Sequence, residues 1–304
     1  MNILACDIGG TRIKLGLCNT AGDITEYQEY ATNAIRGGVQ LIERVMELMS
    51  VYSKYEAIAV STAGQVHPVD GSIRYANPNI PNYTGVQVKS ILEERFHKPV
   101  MVENDVNAAA LGEAWVGAGH SFNDFICLTF GTGIGGAIVI ERKIYKGFKG
   151  SAGEFGHMLM HPVIRSTDTM WDSMYENLAS TTALVKKAQE IDSHITSGKD
   201  FFAKIDVGGA ALETLLHSWV CEVSRGIATL IHIFNPPAVI VGGGIMEQEW
   251  LVSRISDCTR ELLLDSFKHT EIIPARLGNK AGLIGAASLF LFHQDHVKKN
   301  VAKK

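Results

Sequence analysis

Twice along this chain a strand-forming run breaks at a turn of glycine and threonine, and a second strand-forming run follows at once: NILAC-DIGGT-RIKLGLC near the start, and FICLTF-GTGIGG-AIVIE from residue 125. Each unit reads as two strands around a turn. One such unit in each half of the chain implies two related half-domains. In the first half, strands at 3–6 and 13–18 flank DIGGT, and a further turn falls at 19–23. GGVQLIERVMELMSVY is read as a helix because Leu41, Val45, Leu48 and Met49 recur at helical spacing. AIAVST and PVMVEND are read as strands, and KSILEERF and the alanine-rich VNAAALGEAWVGA as helices. The resulting order, β-β-β-α-β-α-β-α, indicates an α/β fold. The pattern starts afresh near residue 116. Helical periodicity dominates 180–234 with an interruption at GKDFF, and the strand AVIVGGG, a helix, the strand EIIPA and a last helix from Ala281 to about His293 follow.

A chain of 304 residues is long for one domain and comfortable for two. A net charge of -4 gives no electrostatic attraction to nucleic acid or acidic membrane. Cys6, Cys18, Cys127, Cys221 and Cys258 are scattered without a C-x-x-C pair, which suits reduced, buried thiols in a cytoplasmic protein. NILAC lacks the basic and apolar regions of a signal peptide, no apolar run approaches the ~18 residues of a membrane span, and VKKNVAKK reads as a solvated tail.

Gly131, Gly133 and Gly136 fit G-x-G-x-x-G, the spacing of a dinucleotide-binding turn. That reading needs a helix opening at the third glycine and an acid ~20 residues on, at a strand end. Instead AIVIERKIY follows, rich in β-branched residues, and the nearest acid, Glu154, lies within GSAGEFGH. The spacing suits a β-hairpin whose turn offers backbone N–H groups and a threonine hydroxyl to a phosphate. DIGGT makes the same offer, with Asp7 able to hold Mg²⁺ through water. Either turn alone is an ordinary hairpin. Two of them, one per half-domain, point to a nucleotide clamped between domains.

DIGGT, STAG, ENDVNAAALGE, GTGIGGAIV, GEFGH and IVGGG, in this order from about residue 3 to residue 287, resemble the ROK sugar kinases (repressor, open reading frame, kinase) of the actin-like, sugar-kinase ATPase superfamily. The resemblance implies two ribonuclease-H-like domains of actin/hexokinase type with an interdomain active-site cleft. The first comprises 1–115 with 282–304; the second, 116–281, carries the adenosine site. It implies ATP and Mg²⁺ as cofactors and transfer of the γ-phosphoryl group to a sugar hydroxyl, with Asp105 as catalytic base. By position alone Asp105 is a helix N-cap, and the helix terminus is expected to keep it ionised. Asn79, Asn104, Asp105, Glu154, His157 and Glu176 match the family's sugar contacts. Asp7, Gly9, Gly10, Thr11, Thr132 and Gly133 match its phosphate turns, with Lys14 as a nearby cation. Gly243 and Gly244 would pack beneath the adenine or ribose.

Most members of that family carry a zinc site with the pattern H-x9-C-x-C-x4-C-x-E. Here His157 fits its start and Glu176 its end, but the cysteine positions fall on Thr167, Thr169 and Met174. Thr and Met cannot replace thiolates on Zn²⁺, and His161, Asp168 and Asp172 have the wrong spacing to rebuild the site, so no structural zinc is expected. Packing, through Trp171 and Tyr175, must then orient the loop. SAGEFGHML and DSMYENLAS resemble the zinc-free β-glucoside kinases, which phosphorylate the 6-hydroxyl of a cellobiose-like glucoside. Glucose and N-acylmannosamine are the alternative substrates, and a non-catalytic sugar sensor is the alternative class. A repressor of the family would need a helix-turn-helix ahead of DIGGT, which here begins at residue 7. The expected partner is a small sugar and the expected assembly a homodimer.

Overall fold

The structure is a computed structural model that describes residues 1–162, 169–205 and 209–301, with side chains of the last helix described as far as Leu291. Thr167, Asp168 and the last three residues of VKKNVAKK lie outside this description. The chain divides into two compact units, Met1–Ser121 with Arg142–Ala152 and Asn279–Lys304, and Phe122–Glu141 with Gly153–Gly278.

The first unit holds a five-stranded sheet in the order β3-β2-β1-β4-β7. Its strands are β1 (Ile3–Ile8), β2 (Arg12–Cys18), β3 (Ile24–Ala31), β4 (Ala57–Thr62) and β7 (Val100–Asn104). A small ribbon joins β5 (Gln65–Val66) to β6 (Ile73–Tyr75), and β10 (Lys143–Ile144) lies in the inserted segment. The helices are α1 (Gly38–Met49), α2 (Val88–Phe96), α3 (Asp105–Val116) and, from the far end of the chain, α9 (Ala281–Val301).

β1 is buried along its whole length because it runs antiparallel to β2 on one side and parallel to β4 on the other, and both sheet faces are covered. Its side chains alternate between two cores. Leu4, Cys6 and Ile8 pack with Leu41, Ile42, Val45 and Met49 of α1. Ile3 and Ala5 pack with Leu283, Ala286 and Ala287 of α9. Asp7 therefore shares the α9 face.

The second unit repeats the plan. Its strands β8 (Phe125–Phe130), β9 (Ile134–Ile140), β11 (Ala238–Gly242) and β12 (Glu271–Pro274) lie in the order β9-β8-β11-β12. β8 is antiparallel to β9 and parallel to β11, as β1 is to β2 and β4. The helices are α4 (Tyr175–Ala179), α5 (Thr181–Ile191), α6 (Gly198–Ile205), α7 (Gly209–Phe234) and α8 (Glu249–Leu262).

Two sequence expectations change here. The segment GKDFF does not interrupt the helical region; it opens α6, with Phe201 fully buried. Gly198 reads as a breaker, but Ser197 before it receives the Asp200 N–H on its hydroxyl at 3.1 Å, a helix start that the glycine masks. The turns are also shorter than the motifs. Asp7 and Ile8 belong to β1, and Ile134, Gly135 and Gly136 pair in the ladder of β9, opposite Phe130, Thr129 and Leu128. Only 9–11 and 131–133 are free of pairing, and a strand follows the third glycine. Among the described residues no helix is long and apolar enough to cross a membrane.

Candidate active site

In the first unit, strand register sets Asp7 beside Lys14 of β2 and Ser61 of β4. The Ser61 hydroxyl donates to Asp7 Oδ1 at 2.7 Å, and Lys14 Nζ pairs with Oδ2 at 3.0 Å. Ser61, next to the end of β4, belongs to the STAG motif, which by itself gives it no role of its own; its place opposite Asp7 supplies one. The adjoining turn is closed by Gly9 N donating to Arg12 O at 2.9 Å and by the Thr32 hydroxyl donating to Gly9 O at 2.8 Å. Gly10 and Thr11 stand exposed at its tip.

The corner between β7 and α3 differs from expectation in two respects. Asn104, not Asp105, is the helix cap: its Oδ1 accepts from Val106 N at 3.0 Å and Asn107 N at 3.1 Å. Either residue type can cap, but Asn104 has the extended backbone of a cap whereas Asp105 is already helical. The Asn104 amide also donates to Gly64 O at 3.0 Å and to Asp105 Oδ1 at 2.9 Å. Nor does the helix terminus keep Asp105 strongly acidic. Burial first, and the charge of Asp7 second, push its carboxyl up to about 7, against opposing bonds from Val106 N and Asn104.

Glu103, buried one residue before the corner, accepts from Lys146 Nζ at 2.6 Å. Neither residue stood out in the sequence, although a charge within a buried strand is itself a signal. Asn79 lies exposed in a turn, its own N–H bonded to Asn77 Oδ1 at 3.2 Å. It is outside the bonding of the Asn104 corner.

In the second unit, Gly131 N donates to Gly133 O at 3.0 Å and Thr182 N donates to Gly131 O at 3.3 Å, which fixes the turn and leaves Thr132 exposed. Thr132 borders a cavity of about 1150 Å³, whose wall also includes Thr182, Lys186, Lys199, Phe202 and Gly244. That volume is ample for a nucleotide. Gly243 has φ 101°, and a Cβ there would stand 2.1 Å from Phe130 O, so only glycine lets the end of β11 cross the end of β8. Glu176 lies against the turn: its Oε2 accepts from Ile134 N at 3.4 Å, and a Cβ on Gly133 would meet that oxygen at 2.4 Å. Glu154 precedes the short helix Phe155–His157 and His157 ends it, with His157 Nδ1 and Glu154 Oε2 3.8 Å apart and both side chains about half exposed.

The segment matching the zinc loop is tied together by other means. Thr169 caps the short helix Met170–Ser173 in a reciprocal box with Asp172, whose Oδ2 accepts the Thr169 N–H at 2.9 Å. Met174 is buried and pairs by a β-bridge with Leu159. Tyr175 is fully buried; its hydroxyl donates to Val223 O at 2.7 Å and its ring meets Phe130 edge-on at 6.3 Å. Trp171 does not share this role, because 59% of its surface is exposed. Of the cysteines, Cys6, Cys18 and Cys127 are buried, while Cys221 and Cys258 are only half-buried.

Each unit thus presents a strand–turn–strand element with exposed backbone, one beside a buried carboxylate and one beside a large cavity. Comparison with known proteins gives this pairing a context. The sequence profile of the ROK family matches residues 3–293. A β-glucoside kinase of Klebsiella pneumoniae is 32% identical over 95% of this chain and 96% of its own. A glucokinase of Thermotoga maritima is 30% identical over 95% of this chain and 97% of its own. The structure of a ROK glucokinase from Streptomyces griseus in complex with glucose and AMPPNP superimposes with a TM-score of 0.83 at 30% identity, covering 95% of this chain and 99% of that one. The chain belongs to the ROK family and is a carbohydrate kinase.

Proposed function

We propose that the enzyme transfers the γ-phosphoryl group of ATP to the 6-hydroxyl of a β-glucoside such as cellobiose, with Asp105 as general base. The observation that carries the mechanism is the Asn104–Asp105 corner. A base works best when its pKa lies near the working pH, and burial beside Asp7 brings the Asp105 carboxyl to about 7. The bonds from Asn104 and Val106 fall on Oδ1, which leaves Oδ2 to accept the sugar proton. In phosphoryl transfer the base mainly orients the nucleophile, and charge neutralisation supplies most of the rest.

In the first unit Asn79 and Asn104 are the proposed sugar contacts beside Asp105; in the second, Glu154, His157 and Glu176. The phosphate-binding groups are Asp7, Gly9, Gly10, Thr11 and Lys14 in the first unit and Thr132 and Gly133 in the second, with Gly243 and Gly244 at the nucleoside cavity. The residues present fit Mg²⁺ held through water. Asp7 is a single buried carboxylate with acceptor sites beyond those taken by Ser61 and Lys14, and no cluster of three or more His, Cys, Asp or Glu forms a protein cage among the described residues. When bound, the ion neutralises phosphate charge. The reading includes no structural zinc and a cytoplasmic homodimer.

The β-glucoside assignment rests on SAGEFGHML and DSMYENLAS and on likeness to the Klebsiella enzyme. Likeness to glucokinases keeps glucose as the second reading. A coupled ADP-release assay with cellobiose, salicin, arbutin, glucose and N-acetylmannosamine at equal concentration decides between them. The highest kcat/KM is expected for a β-glucoside; a higher value for glucose overturns the substrate, and no release with any sugar overturns catalysis. Asp105→Ala is expected to lower kcat roughly 100-fold or more.

A further inference from the structure

Glu103 lies two residues before the proposed base, near the end of β7, and has only 3% of its surface exposed. Both of its carboxylate oxygens are engaged. Oε1 accepts from the backbone N–H of Asn104 at 3.0 Å and from the Asn107 amide at 3.1 Å, and Oε2 accepts from Lys146 Nζ at 2.6 Å. Asn107 turns its Nδ2 to Glu103 while its own buried Oδ1 has no protein partner, so its orientation follows Glu103 and not its own full satisfaction.

A buried ion pair is weak evidence for stability, because desolvating two charges offsets much of their attraction and a well-packed apolar pair serves packing as well. What this pair holds is more informative. The Asn104 peptide and side chain form one continuous series of bonds, from Lys146 to Glu103, to the Asn104 N–H, and through the Asn104 amide to Asp105 Oδ1. We propose that Glu103, paired with Lys146, is a positioning residue for the base: it locks the Asn104 peptide and thereby aims Asp105. This rests on the reading of Asp105 as the base.

Removing the ammonium leaves a buried carboxylate without a counter-charge. With Oε2 no longer held, the carboxylate is drawn toward water and its grip on the Asn104 N–H loosens. Lys146 is the better site for substitution because it is one-third exposed and its own packing is modest. The experiment compares wild type, Lys146→Met, Lys146→Arg and the double variant Glu103→Gln with Lys146→Met. It measures kcat, KM for the sugar, thermal melting, and the carboxyl ¹³C titration of Asp105, identified by its loss in Asp105→Asn.

Lys146→Met is expected to lower kcat tenfold or more with KM changed less than about threefold, and to move the Asp105 titration upward as the Asn104 bond to the ionised form weakens. Lys146→Arg should retain most activity. The double variant should recover much of it, since a neutral amide keeps an oxygen on the Asn104 N–H without an unpaired charge. A Lys146→Met enzyme that melts lower yet keeps wild-type kcat and an unmoved Asp105 titration overturns the proposal and leaves the pair purely structural. If wild type releases no ADP with any sugar, the kinase reading fails, and the titration alone still decides whether the pair controls Asp105.

Discussion

The charge of Asp7 reaches Asp105 and, after burial, is the main reason that carboxyl titrates near 7. Activity should therefore rise with pH below neutrality, about tenfold in kcat/KM per unit, and level off above about 7. Asp7→Asn should shift this limb downward, as it removes the repelling charge. A limb below pH 5 in the wild-type enzyme would contradict the assignment.

The same carboxyl makes stability depend on pH. Its native pKa is raised above the unfolded value of about 3.9, so between about pH 4 and pH 7 the native state binds the extra proton. Stability from this group is then fully present below about pH 4 and declines as pH rises toward 7. Asp105→Asn lacks the decline. In thermal melts it should gain on wild type with increasing pH, by about 2 kcal/mol once partial exposure is discounted. A pH-independent difference would contradict this.

Tyr175 should hold the GEFGH segment and α4 in place of a metal. Tyr175→Phe loses one buried hydrogen bond and should cost about 1 kcal/mol, whereas Tyr175→Ala should cost about 3–5 kcal/mol in urea unfolding. Gly226→Ala should be comparably severe, since a Cβ there would stand 2.2 Å from the Tyr175 ring.

Elemental analysis of purified enzyme is expected to find far less than one zinc per chain, and a chelator should leave the melting temperature unchanged. Thr169 and Met174 stand where thiolate ligands would be needed, and each has another task. Stoichiometric zinc would overturn this expectation.

Gly243→Ala should lower stability by about 2–4 kcal/mol and raise KM for ATP, because the new methyl clashes with Phe130 O and the backbone is left-handed there. Gly244→Ala, where a Cβ meets nothing within 4 Å, is the control for stability alone and should leave the melting temperature nearly unchanged.

The sheet plan was legible because buried strands and hairpin turns leave local marks, as in ILACDI and the two glycine turns. Asp105 was legible as a position but not as an acid, since its titration depends on burial and on Asp7, remote in sequence. Asn104 and Asp105 are adjacent residues with equal capping ability, so only backbone angles could show which one caps. Lys146 and Glu103 meet across 43 positions, and no periodicity encodes such a meeting. The helix α6 was lost behind Gly198, whose poor propensity hid the capping serine before it.

The α9 face of β1 sets an order on biosynthesis. Ile3 and Ala5 cannot complete their core until residues 283–290 have been made, and the first turn of α9 passes so close to Asp7 that a Cβ on Gly282 would stand 2.9 Å from its carboxyl carbon. Strand β1 must wait for a helix made long after it, with its apolar face open in the meantime. Folding of the first unit should therefore await α9, and chains truncated before residue 280 should be protease-sensitive in 1–121.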